Sequence, residues 1–167
     1  GCKFCVAGTS FDTTSTACST CDQGKYQDQN DVLSVACKFC AAGTQYDTVA
    51  TGCSTCTPGA YQQENAAPSV QCTSCAPGQA SVDSSTPCVD CVSGQFQELA
   101  AATSYGCKSC SFDEVAVDNT QTCAKCTAGK IKTVSNVYSD VACTDCQPGT
   151  TSADSGIVCE ACPVTTF

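Results

Sequence analysis

The chain of 167 residues contains no histidine, arginine, methionine or tryptophan, and Leu, Ile, Val and Phe together number only 25. Without histidine there is no Ser-His-Asp or Cys-His catalytic arrangement and no His-ligated metal site. Seven lysines against sixteen acidic residues give a net charge of −9. That balance offers no electrostatic footprint for nucleic acid or an anionic membrane surface. No apolar run approaches the roughly 20 residues of a membrane span. A chain this poor in large apolar residues normally fails to offset its conformational entropy and stays disordered. What it has instead is cysteine: 20 residues, above the roughly one in ten that marks a disulfide scaffold.

The cysteines are ordered. All twenty fall in C-x-x-C pairs, which begin at Cys2, Cys18, Cys37, Cys53, Cys72, Cys88, Cys107, Cys123, Cys143 and Cys159. The steps alternate between 16 and 19 residues, with one of 20, so the true repeat is 35 residues and once 36. Fixed periods of this length signal an array. CKFCVAGTSFDTTSTACSTC at 2–21 and CKFCAAGTQYDTVATGCSTC at 37–56 are nearly copies. We read one continuous array: repeats 1–36, 37–71, 72–106 and 107–142, and a partial repeat 143–167. Each loop is expected to contact mainly its neighbours. The expected fold is small and disulfide-rich, mostly irregular with short β-strands, elongated, and with little hydrophobic core.

Three residues after the second cysteine of a pair stands a glycine: Gly8, Gly24, Gly43, Gly59, Gly78, Gly94, Gly129 and Gly149, with Asp113 and Thr165 as exceptions. Pro58, Pro77 and Pro148 precede such glycines, and Pro-Gly predicts a type II turn with positive φ at the glycine. Two positions further on in the longer loops come Tyr26, Tyr61, Phe96 and Ile131; in three loops a glutamine follows, Gln27, Gln62 or Gln97. Val35, Val70, Tyr105 and Val141 lie two positions before the next cysteine. These apolar residues are expected to pack over the neighbouring disulfide as a small core in each loop.

C-x-x-C pairs at this spacing also resemble zinc ribbons, and single pairs resemble thioredoxin-type redox motifs. The unbroken ladder, and polar loops suited to an oxidising exterior, favour structural disulfides. A bridge inside C-x-x-C would leave the larger loops untethered. Serial closure joins the second cysteine of each pair to the first of the next: Cys5–Cys18, Cys21–Cys37, Cys40–Cys53, Cys56–Cys72, Cys75–Cys88, Cys91–Cys107, Cys110–Cys123, Cys126–Cys143 and Cys146–Cys159. The rival pattern bonds pairs in parallel, as Cys2–Cys18 with Cys5–Cys21, and sequence alone does not decide between them. Serial closure leaves Cys2 and Cys162 without partners. The expectation is a processed or partial segment of a longer array, or an intermolecular bond from Cys162 of one chain to Cys2 of the next.

The segments CVAGTSFDTTSTAC, CAAGTQYDTVATGC and CTPGAYQQENAAPSVQC resemble the cysteine-rich loops of TNF-receptor-like and ephrin-receptor-like modules, with their C-x-x-G-T-Y/F openings. CDQGKYQDQNDVLSVACKFC resembles tandem arrays on surface proteins of algae and protists, and ciliate immobilization antigens are similar in their periodic cysteine spacing. The resemblance implies an elongated ectodomain, a secreted or cell-surface location, and no enzymatic activity. The functional expectation is a non-catalytic structural repeat protein, a rod-like unit of a filament, appendage or surface coat of a microbial eukaryote, associating head to tail with itself. The alternative is a receptor or adhesion ectodomain binding a protein or glycan through its divergent loops, 111–122 and 127–142.

No cofactor is expected. Asp22, Asp28 and Asp31 lack a D-x-D-x-D-G calcium pattern, and Asp12 and Asp47 recur as solvated loop charges. None of Asn30, Asn65, Asn119 and Asn136 lies in an N-x-S/T sequon. Thr13, Thr14, Ser15 and Thr16 are candidates for O-glycosylation.

Overall fold

The computed structural model describes residues 4–13, 15–31, 36–111, 114–135, 140–153 and 158–163. Among these residues there is no helix, and sixteen strands form eight separate antiparallel pairs. Fourteen strands are two residues long; the exceptions are Lys130–Ser135 and its partner Asp140–Asp145. The result is a small disulfide-rich fold of short hairpins in tandem, with most residues exposed.

One local rule builds every hairpin. After the second cysteine the chain reverses: the Thr9 N–H donates to Val6 O at 3.1 Å, and the Ala60 N–H to Thr57 O at 3.0 Å. Gly8 and Gly59, third in these four-residue turns, have φ of 84° and 88°. That is the type II geometry the Pro-Gly pattern predicts. The two residues from the end of the turn then pair with the two residues inside the next C-x-x-C. Thr9 lies opposite Thr20 and Ser10 opposite Ser19; Ala60 lies opposite Ser74 and Tyr61 opposite Thr73. The second cysteine is pinned by the turn glycine: Cys21 N–H to Gly8 O at 2.9 Å and Cys75 N–H to Gly59 O at 3.0 Å. C-x-x-C is therefore an extended strand. In extended chain, side chains three apart point to opposite faces. One cysteine serves the loop behind it and the other the loop ahead.

The core is built from sulfur and small or polar groups. Cys5, Cys21, Cys40, Cys56, Cys75, Cys91 and Cys126, each the second of its pair, are buried with Ala60, Val70, Ala80, Phe96, Ala102 and Val115. Gln27, Gln62, Ser81, Gln97 and Ser152 are buried beside them. The expected aromatic cores are only partly realised. Phe96 and Val70 are buried, but Tyr26, Tyr61 and Ile131 are half-buried and Tyr105 is exposed. In the first two long loops Gln27 and Gln62 take the inner face in place of Tyr26 and Tyr61, whereas in the third Phe96 and Gln97 are both buried. Val35 lies outside the described residues, as does the side chain of Val141.

The chain packs as two compact units. One comprises Gly1–Cys75, Ser81–Cys88 and Thr103–Tyr105; the other Ala76–Ala80, Val89–Ala102 and Gly106–Phe167. The division falls inside the repeat 72–106.

Candidate functional site

The bridges run serially: Cys5–Cys18, Cys21–Cys37, Cys40–Cys53, Cys56–Cys72, Cys75–Cys88, Cys91–Cys107, Cys110–Cys123, Cys126–Cys143 and Cys146–Cys159, with Cα–Cα distances of 5.5–5.8 Å. In the chain-entropy account each closed loop of this size contributes about 3 kcal/mol. Eighteen cysteines are consumed, so the described residues hold no four-thiolate set for zinc, and no cluster of three or more metal-ligating side chains occurs among them. Cys162 is free and exposed. Its N–H donates to Gly149 O at 2.9 Å, the same bond that pins the bridged second cysteines. Cys2 lies outside the described residues.

A second set of contacts joins one loop to the next. In the first unit the Gly8 and Gly43 N–H groups donate to the carbonyls of Gln27 and Gln62, each at 2.7 Å. The Gln27 N–H continues to Val49 O at 3.0 Å and the Gln62 N–H to Ser84 O at 2.9 Å. The second unit repeats the scheme, with Gly78 N–H to Gln97 O at 2.8 Å and Gln97 N–H to Asn119 O at 2.9 Å. The side chains of Asn30 and Asn65 reinforce it by accepting the N–H groups of Ala7 at 2.9 Å and Ala42 at 3.0 Å. We call this recurring set the seam. It leaves no room for a side chain at some turns. A Cβ on Gly24, whose φ is 80°, would stand 2.3 Å from Ser69 N. At Gly149 nothing lies within 4 Å of the same atom.

The buried glutamines clamp the seam from inside. Gln97 Nε2 donates to Ala76 O at 2.9 Å and Leu99 O at 3.0 Å, and Gln97 Oε1 accepts the Leu99 N–H. Gln27 Nε2 donates to Thr9 O at 3.1 Å, and its Oε1 accepts the Gln29 N–H. Gln62 is enclosed equally, yet neither end of its amide has a partner among the described residues. In the fourth long loop the position is Lys132, whose Nζ donates to Ser111 O at 2.9 Å. Ser111 is the counterpart of Ala76, so the lysine replaces one arm of the clamp. The same seam has Asp113 for glycine, which lies outside the described residues, as does Thr165.

Charges pair locally, with Asp22 and Lys108 exposed and Lys25 and Glu98 half-buried. Lys25 pairs with Asp22 at 2.8 Å, and its Nζ is 5.1 Å from the centre of the Phe39 ring. Lys108 pairs with Glu98, its Nζ 5.6 Å from the centre of the Phe96 ring. The lysine bonds hold the Asp22 and Glu98 carboxyls below their ordinary values. Asp83 accepts the N–H groups of Ser85 and Thr86, each at 2.8 Å, and Asp118 accepts the Thr120 hydroxyl at 2.6 Å and N–H at 2.8 Å. These bonds depress both carboxyls.

The remaining candidates lie at the surface. Thr13, Ser15 and Thr16 are exposed, with Thr13 Oγ1 3.0 Å from Ser15 Oγ; Thr14 lies outside the described residues. Asp12, Asp28, Asp31 and Asp47 are exposed. In 111–122 the Asp118 bend dominates, and Val117 stands out into solvent. The stretch 127–142 carries the start of the one long hairpin. Sequence reasoning noticed the glutamines but missed their clamp; their recurrence beside the aromatic position was the available signal.

Bridges, turns and seams together define a class, the tandem disulfide-bonded cysteine-rich repeat protein. No family model matches the chain, and no curated protein matches it. Nine disulfides fit a secreted or extracellular chain.

Proposed function

We propose that the chain is a non-catalytic structural repeat protein of the extracellular space, a rod-like building unit of a filament, appendage or surface coat of a microbial eukaryote. The recurrence of the seam's backbone bonds supports this reading: the turn of one loop is completed by the next at Gly8 and Gln27, Gly43 and Gln62, and Gly78 and Gln97. Units that complete one another propagate along one dimension. A head-to-tail contact between copies gives an open filament where the rotation does not close. The exposed Cys162 thiol is the group a covalent link to Cys2 of the next copy would use. The likeness to TNF-receptor-like and ephrin-receptor-like loops fits an ectodomain of this kind, and the exposed Thr13, Ser15 and Thr16 would carry O-linked glycans. Electron microscopy of the concentrated native protein is expected to show rods joined end to end, with Cys162→Ser removing any covalent multimer from a non-reducing gel. Dispersed single chains at high concentration would sink the reading.

One observation favours a receptor or adhesion ectodomain instead. Lys130–Ser135 and Asp140–Asp145 form a hairpin three times the length of the others. On that reading, replacing the 111–142 loops with those of 6–36 abolishes binding to a protein or glycan partner found by array screening.

A further inference from the structure

We infer that the chain is an extension-limited tether, in which tension between the two ends bypasses the loops altogether. Each loop is closed at its own base by a disulfide, and the bases are joined by the two residues inside C-x-x-C. The shortest covalent path from Cys5 to Cys162 therefore alternates nine bridges with nine two-residue linkers. Everything between the cysteines of one bridge, residues 6–17 for example, hangs beside that path and carries no load.

Two further observations agree. Every pair in the sequence encloses two residues, whereas the bridges close separations of 13, 16 or 17 residues. Variation in length is thus confined to chain that leaves the load path unchanged, including the extra residue in 127–142. The linkers are also the segments held by hairpin pairing: Ser19–Thr20, Ser54–Thr55, Thr73–Ser74, Val89–Asp90, Lys108–Ser109, Ala124–Lys125 and Glu160–Ala161 are each one strand of a pair.

The geometry sets the limit. Each bridge spans 5.5–5.8 Å between Cα atoms. Each linker spans three peptide units of about 3.4 Å when fully extended. Nine of each give a contour of about 140 Å from Cys5 to Cys162, against about 530 Å for the same chain without bridges. Unfolding the loops does not lengthen the path. Reducing the bridges lengthens it about fourfold, so a thiol reductant converts a taut element into a slack one. A single isolated chain has this property, whether or not copies assemble into a filament.

The test is single-molecule stretching of the Cys162→Ser chain held by a tag at each end. In oxidising buffer the expected extension, beyond the handles and the terminal residues outside Cys5–Cys162, stops near 14 nm without lengthening steps, and added phosphine reductant releases it to about 53 nm. Replacing Cys56 and Cys72 together by serine puts one loop into the path and adds about 5 nm in oxidising buffer. Stepwise lengthening of the unreduced chain well past 14 nm, or no added length in the double variant, would overturn the inference. Failure to form filaments leaves it standing, because the measurement uses one chain.

Discussion

An amide enclosed in protein is unfavourable unless both its ends are hydrogen-bonded. Gln97 meets that condition, with three backbone partners around one side chain, while Gln62 occupies the same place in its loop with none. The two should respond differently to the same substitution. Gln97→Leu strips the Leu99 N–H and Ala76 O of a partner and is expected to destabilise the protein by about 1–3 kcal/mol. Gln62→Leu exchanges an unpaired amide for an apolar group and is expected to be neutral or stabilising. Denaturation of the oxidised proteins compares them, and equal losses would contradict the clamp. The glutamines were visible in the sequence, but their burial was not. Alternation along a strand puts one neighbour inside and the other out, yet Phe96 and Gln97 are both buried. The glutamine's partners lie about twenty residues away, where no local pattern reaches. The turn glycines are a contrasting case. Pro-Gly announces positive φ, but nothing near Gly24 announces that Ser69 will press against it.

The hairpins follow directly from the turn chemistry, so this level was largely legible. Glycine after the second cysteine, followed by Thr, Gln or a small residue, predicts a reversal and a short strand, which is what forms. The bends that cap the shorter loops were not foreseen, because repeats solve the same problem with different side chains. The first two use threonine pairs, with Thr16 Oγ1 donating to Thr13 O at 2.9 Å and Thr48 Oγ1 2.7 Å from Thr51 Oγ1. The next two use Asp83 and Asp118. The carboxylates make those later bends sensitive to acid. Their folded-state carboxyls titrate below the ordinary 3.8. A depressed carboxyl contributes stability fully above its unfolded value, and the contribution is lost as pH falls through the folded one. The bends at 83–86 and 118–121 should therefore be indifferent to pH at neutrality and loosen only below pH 3.8. Amide shifts of Ser85 and Thr120 followed by NMR should show midpoints below 3.8, and Asp83→Asn should remove the Ser85 transition. A midpoint at or above 3.8 would contradict the bonding described.

At the level of the whole molecule, the cysteine period was the readable feature, since pairs at alternating steps mark out loops of two sizes. The division into two units was not readable, because it cuts through the repeat 72–106 rather than following the period. Serial closure sorts the described lysines into two kinds. Lys38, Lys108 and Lys125 lie in linkers between bridges, whereas Lys25, Lys130 and Lys132 lie inside closed loops. Trypsin cleavage at the first kind severs the molecule. Cleavage at the second opens a loop whose base stays bonded. Digestion without reductant should free no cysteine-containing fragment that begins or ends inside a loop, only the dipeptide Ile131–Lys132 cut from within one; reduction should then separate the pieces cut after Lys25, Lys130 and Lys132. Mass spectrometry before and after reduction reads this directly, and a free peptide of residues 26–38 before reduction would be incompatible with Cys21–Cys37.

Short bridges also set the order in which the molecule can mature. None joins cysteines more than 17 residues apart. Each sulfur therefore meets its partner when barely one further loop has followed it out of the ribosome or translocation channel. The seam contact lags only slightly: Gly8 waits for Gln27, and Gly78 for Gln97. Contacts so close in sequence form fast and expose little unpaired chain. Oxidation can keep pace with synthesis, and the first repeat can be sealed before the third has been made.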